Sequence, residues 1–135
     1  MGTWQNVAKA AKVSLKNGRS VVIDNTNPDV ESRSRYLDIA KELKVPARCF
    51  VFDVPLEHAK HNERFRRLVP KLVPPKDKNE KLHTKVPDVA FYSFKNKFKM
   101  PTTSEGFIEV KTIKFQAKFD DDRLEALYKS YLIDK

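Results

Sequence analysis

The sequence predicts an α/β fold built around a parallel sheet, and three observations lead there. Helical and strand-like apolar periods alternate along the 135 residues in the order helix, strand, helix, strand, helix, the order that lays parallel strands together with helices between them. Both early strand candidates are mostly apolar with no polar alternation, as strands covered on two faces are. Breakers such as Asn17-Gly18 and Val45-Pro46 separate the periods.

The first period, Met1 to Asn17, places Trp4, Val7, Ala8, Ala11 and Leu15 at helical spacing. Arg19 to Ile23 reads as a short strand. Asn27 is the expected cap of a second helix that opens on Pro28 and runs to about Lys44. Ala47 to Val54, ARCFVFDV, is the second strand, and Leu56 to Leu68 a very basic helix. Val69 to Lys85 carries Pro70, Pro74 and Pro75 among lysines and reads as a loop or flap. Pro87 to Lys99 is a further helix. Phe107 to Phe119 alternates as an edge strand does, and Asp120 or Asp121 caps a last helix through Leu132. Trp4, Tyr36, Phe50 and Phe52 are expected in the core.

Composition narrows the function classes. Twenty-seven basic and eighteen acidic residues leave +9, and twelve basic against four acidic side chains between Lys60 and Lys99 account for +8 of it. Such a block suits phosphate-bearing partners. Cys49 is the one cysteine, so a disulfide framework is excluded and a reducing compartment, nucleus or cytoplasm, is expected. The sequence shows no signal-peptide pattern and no apolar run approaching a membrane span. His58, His61 and His83 lack zinc-like spacing with cysteine or acid.

The stretch Val21-Val22-Ile23-Asp24-Asn25-Thr26-Asn27-Pro28-Asp29 holds more polar groups than a helix cap needs. In parallel α/β sheets ligands sit at the carboxyl ends of strands, and this cluster stands at such an end. The cluster, with Ser32-Arg33, Arg35-Tyr36, Arg48-Cys49-Phe50, Leu56-Glu57 and His61-Asn62-Glu63-Arg64-Phe65-Arg66, resembles the kinase domain of the polynucleotide kinase 3′-phosphatase family. The resemblance runs from Gly2 to about Phe115. It implies a P-loop kinase fold and ATP-dependent phosphorylation of DNA or RNA 5′-hydroxyl ends with Mg²⁺ in strand-break repair. It further implies a nuclear location and DNA-repair scaffold partners reached through upstream domains.

Family members carry a glycine-rich phosphate loop and a general-base aspartate ahead of the segment matching Gly2-Thr3-Trp4. No GxxxxGK[ST] occurs in the 135 residues. The expectation is therefore an N-terminally truncated kinase domain, its phosphate-loop strand and following strand absent, with a lid over about residues 56–87. Alone it is expected to be inactive. A catalytically inactive basic nucleic-acid-binding module and a non-functional fragment stay open beside the kinase reading.

Site residues follow from resemblance and chemistry together. Asp24 is the expected Mg²⁺ residue, directly or through water, because an acid at that strand end helps hold the metal in P-loop enzymes. Asn25 and Thr26 line the ATP site. Arg64 and Arg66 are both candidates for the lid arginine, whose guanidinium pairs with two phosphate oxygens; Arg67 is expected at the surface. Arg33 and Arg35 are expected on nucleic-acid phosphates, in contacts that do not read sequence, whereas Lys95, Lys97 and Lys99 read more readily as a solvated face than as phosphate contacts.

Overall fold

The computed structural model describes residues 3–73 and 83–130. The chain divides into two compact units, Met1–Val51 with Phe94–Ile113 and Phe52–Ser93 with Lys114–Lys135. The architecture is α/β with a parallel sheet, consistent with a P-loop kinase fold.

In the first unit, helix α1 spans Trp4–Lys16. It ends in a Schellman turn: Gly18, at φ 72°, donates to the Leu15 carbonyl and Arg19 to that of Ser14. Helix α2 spans Val30–Glu42 and packs on α1, with Lys12 reaching Glu42 at 2.6 Å. The N-cap of α2 is Asp29, whose carboxylate accepts from the Ser32 N–H at 2.8 Å. Asn27 is not the cap. It takes a left-handed φ of 39° instead, a conformation asparagine tolerates better than most residues. The end of α2 repeats the Schellman pattern with a lysine: Lys44 stands at φ 55° while Val45 donates to the Ala40 carbonyl.

Strand β1 spans Arg48–Asp53 and strand β2 Glu109–Lys114, and they form a two-stranded sheet. The Ile108 N–H donates to the Ala47 carbonyl and Arg48 meets Glu109 at 3.4 Å. The strands therefore start side by side and run in parallel. Before β2 comes a single 3-10 turn, Thr103–Glu105, and then Gly106 at φ 122°, a backbone angle that glycine supplies without strain.

The expected strand at Arg19–Ile23 does not form. The segment forms no regular element and pairs with no strand among the described residues, and Val22 is 90% exposed. An apolar β-branched run favours a pleated surface only where a neighbour completes it. The placing of Trp4, Phe50 and Phe52 in the core is corrected for a related reason. Val51 is buried on one face of β1, whereas Phe50 and Phe52 share the other and are exposed, Phe52 by 73%.

The second unit is organised by helix α3, Leu56–Leu72. It runs one turn past the expected Leu68 and holds Pro70 in its last turn, where the missing N–H leaves the Arg66 carbonyl without its helical partner. Helix α5, Asp122–Ser130, packs on α3. Asp121 caps it, its carbonyl accepting from Glu125 and its carboxylate from the Arg123 N–H. The aromatic ring of Tyr128 lies among His61, Phe65 and Phe119, with centroids at 4.4, 5.1 and 5.2 Å. Its hydroxyl donates to Asn62 Oδ1 at 2.8 Å, which leaves it to accept from His58 Nε2 at 2.6 Å. Helix α4, Asp88–Lys97, has no buried residue. No described helix is long and apolar enough to cross a membrane.

Candidate functional site

The polar cluster after Ile23 is a loop with a free tip and a fixed base. At the tip, Asp24, Asn25 and Thr26 are exposed, and Asn25 Oδ1 accepts locally from the Thr26 N–H at 2.8 Å. At the base, the Pro28 carbonyl accepts from the Lys99 N–H at 2.8 Å, and the Asn27 carbonyl from Arg33 Nη1 at 3.1 Å. Asp29 is held below the usual carboxylate range by the Ser32 hydroxyl and N–H.

Arg33 is buried, and its guanidinium faces inward. Nε and Nη2 each lie 2.8 Å from one oxygen of Glu105, a bidentate pair whose side chains are 4% and 8% exposed. The expected nucleic-acid contact by Arg33 is thus corrected: the fork is engaged inside the unit and turned away from solvent. The fork-to-carboxylate match is the geometry that makes Arg the residue for buried ion pairs. Arg35 remains at the surface, 4.6 Å over the Trp4 ring and 3.1 Å from Glu31.

Helix α3 carries the second group of candidates. Arg64 and Arg66 are exposed and have no ion-pair partner among the described residues. Arg67 is half-buried against Glu63, 2.8 Å from Nε to Oε1, which corrects its placing at the surface. Glu63, 6% exposed, also accepts from the Val86 N–H at 3.1 Å. It thereby ties α3 to the chain just before α4. The expected lid of about 56–87 is in this way anchored at one described point, and its residues 74–82 lie outside the described residues.

Two of these carboxyls set an acid limit. The Arg33 fork holds Glu105 below the usual range against the opposing effect of burial, and the Thr102 N–H adds to it. For Glu63, burial pushes upward, but the Val86 N–H, Arg67 and His83 together prevail and hold it low. A depressed folded pKa means the unfolded chain takes up the proton first. The stabilisation is therefore complete above the ordinary value of 4.5 and lost as pH falls below it. Thermal melts should be level from neutral pH to about 5 and fall steeply below that, and Glu105→Gln should melt lower at pH 7 with a shallower acid slope. Equal acid slopes in both proteins would exclude this pair as a source of acid lability.

The donors suit Mg²⁺ of one kind only. No cluster of three or more His, Cys, Asp or Glu exists among the described residues, so no all-protein cage is available. Mg²⁺ commonly takes one or two carboxylates and keeps water or phosphate oxygens for the rest, and Asp24 on an exposed loop tip fits that role. Unpaired, solvent-facing Arg64 and Arg66 likewise fit nucleotide phosphates. Asp24, Asn25 and Thr26 are neighbours in the first unit, and Arg64 and Arg66 stand two apart on one helix of the second.

The sequence reading missed Glu63 and Glu105. Arg33 lies on the same α2 stripe as Val30 and Leu37, and an arginine in an apolar stripe signals a buried charge in need of a partner. Glu63 lies four residues before Arg67, the spacing of a helical ion pair.

Together, the α/β architecture and its parallel sheet are consistent with a P-loop kinase fold. Residues 2–88 match the AAA domain family, and the chain belongs to it. Among curated relatives, the bifunctional polynucleotide phosphatase/kinase of Schizosaccharomyces pombe (strain 972) is 43% identical over 118 residues, 87% of this chain and 26% of that protein. A protein of Acanthamoeba polyphaga mimivirus, provisionally named a bifunctional polynucleotide phosphatase/kinase, is 35% identical over 113 residues, 83% of this chain and 24% of that protein. The chain thus spans about a quarter of the length of each of these relatives.

Proposed function

We propose that this chain is the C-terminal part of the kinase domain of an ATP-dependent polynucleotide 5′-hydroxyl kinase of strand-break repair, in a parent that is also a 3′-phosphatase. The observation that carries the reading is 43% identity across 87% of the chain to a protein named for both activities. In the reaction the 5′-hydroxyl oxygen bonds to the γ-phosphorus as the bond to the β–γ bridging oxygen breaks, releasing ADP. The family resemblance gives the hydroxyl proton to an aspartate upstream of Gly2-Thr3-Trp4. Asp24 would hold Mg²⁺, directly or through water, and the bound ion would neutralise charge on the nucleotide phosphates.

This chain's own residues bind and orient. Asp24 faces the metal, directly or through water, with Asn25 and Thr26 beside the nucleotide. Arg64 or Arg66, as the lid arginine, pairs with γ-phosphate oxygens. Arg35, stacked on Trp4, meets the DNA or RNA strand. A nuclear location and DNA-repair scaffold partners belong to the same reading. Joined to an upstream segment that carries a phosphate loop, the chain is expected to transfer labelled γ-phosphate to a 5′-hydroxyl oligonucleotide. A well-folded fusion that gives no ATP-dependent labelling overturns the kinase reading.

The +8 block between Lys60 and Lys99 favours a second reading, a basic nucleic-acid-binding module without catalysis. Binding to duplex DNA should then be blind to sequence, with log K falling by about 0.9 per neutralised phosphate for each unit of log salt. Titration at two salt concentrations measures the slope. An affinity indifferent to salt removes the basic block from either reading.

A further inference from the structure

We infer that Arg33 and Glu105 are positioning residues for the loop Asp24–Asn27: the buried pair fixes the Asn27 carbonyl, and through it the direction in which Asp24, Asn25 and Thr26 leave the fold. This rests on the reading of that loop as the metal- and nucleotide-facing edge.

Three observations carry it. First, the pair is long-range and buried. Arg33 lies on α2 and Glu105 at the end of the 3-10 turn 72 positions later, joined through both oxygens. Second, the guanidinium has a third bond, from Nη1 to the Asn27 carbonyl at 3.1 Å. That carbonyl belongs to Asn27 at φ 39°, a left-handed conformation that costs a residue with a Cβ free energy, asparagine less than most. Third, Glu105 is itself held, because its Oε1 also accepts from the Thr102 N–H at 3.2 Å. The chain of contacts thus runs Thr102, Glu105, Arg33, Asn27. It ends three residues from Asp24, at the point where the polypeptide enters Pro28 and α2.

A buried ion pair is weak grounds for stability in itself, since apolar residues of similar volume often replace one without loss. That fact separates positioning from packing. An apolar pair restores the packing and cannot donate to the Asn27 carbonyl.

The test uses the full 135-residue chain with Arg33→Met/Glu105→Met, and with Arg33→Lys, which keeps the charge but loses the fork. Amide hydrogen exchange is read at Lys99, whose N–H bonds the Pro28 carbonyl, and backbone order parameters are read at Asn25, Thr26 and Asn27. The expected result for the double variant is a melting temperature near that of the wild type, with Lys99 exchange about tenfold faster and order lowered at Asn25–Asn27. If the double variant melts early, Arg33→Lys carries the comparison at a temperature where it is fully folded. Lys99 protection and Asn25–Asn27 order unchanged in whichever variant is folded overturn the inference. A separate arm titrates Mn²⁺ and follows paramagnetic broadening of the Asn25 and Thr26 amides. Absence of broadening in the wild-type chain sinks the metal reading of the loop while the exchange and order measurements still decide the positioning role.

Discussion

Arg64→Ala or Arg66→Ala, in a polypeptide where this chain works as a kinase, is expected to lower turnover by about 10³–10⁵-fold. Phosphoryl transfer spreads charge over the equatorial oxygens of the moving group, and a guanidinium fork offers two parallel N–H bonds to them. Both side chains are exposed on α3 and free of ion pairs among the described residues, so neither must leave a partner to reach a phosphate. Arg67 differs, since Glu63 holds it. Lys118→Ala, exposed and remote in sequence, serves as the control and should stay near wild-type rate. Single-turnover measurement separates the chemical step from release. Near wild-type turnover in both arginine variants would sink the assignment, and a large loss in one alone would identify the lid arginine.

Tyr128→Ala should destabilise the chain by about 3–5 kcal/mol, the usual range for truncating a buried aromatic. Tyr128 is the most buried apolar side chain among the described residues of the second unit, 5% exposed, and its ring touches residues from α3 and from the segment leading into α5. Tyr128→Phe isolates the polar part. It keeps the ring but leaves Asn62 Oδ1 without its donor and the His58 N–H without its acceptor, a loss of about 1–3 kcal/mol. Urea unfolding followed by tyrosine fluorescence and far-UV circular dichroism reads both. An unchanged midpoint for the alanine variant would mean that α5 is not held on α3 by this ring.

Local signals made much of this fold legible. The helical period of α1 and the Asn17-Gly18 stop both hold in the structure, because a Schellman turn needs only the residues beside it. β1 was equally plain from its apolar run. The N-cap of α2 was misread because Asn27 and Asp29 both flank Pro28. The sequence offers two caps, and only geometry shows that Asp29 reaches Ser32. The Arg19–Ile23 strand was misread because composition reports a preference and not a neighbour. For the site, the surplus of polar groups at Asp24–Asn27 was visible, but what holds the loop was not. Arg33 meets Glu105 across 72 positions, and local periodicity cannot supply such a pairing.

The uncovered phenylalanines of β1 have a colloidal consequence. Phe50 and Phe52 offer an apolar face beside a strand edge, the kind of surface through which copies stick together. What opposes sticking is mutual repulsion from a charge of +9, and that repulsion reaches only about 10 Å at 0.1 M salt and about 3 Å at 1 M. Salt strong enough to strip nucleic acid from the basic block would therefore also remove the barrier between copies. Light scattering should show a preparation that clears of polyanion and turns turbid along the same salt gradient, whereas Phe52→Lys should clear without clouding.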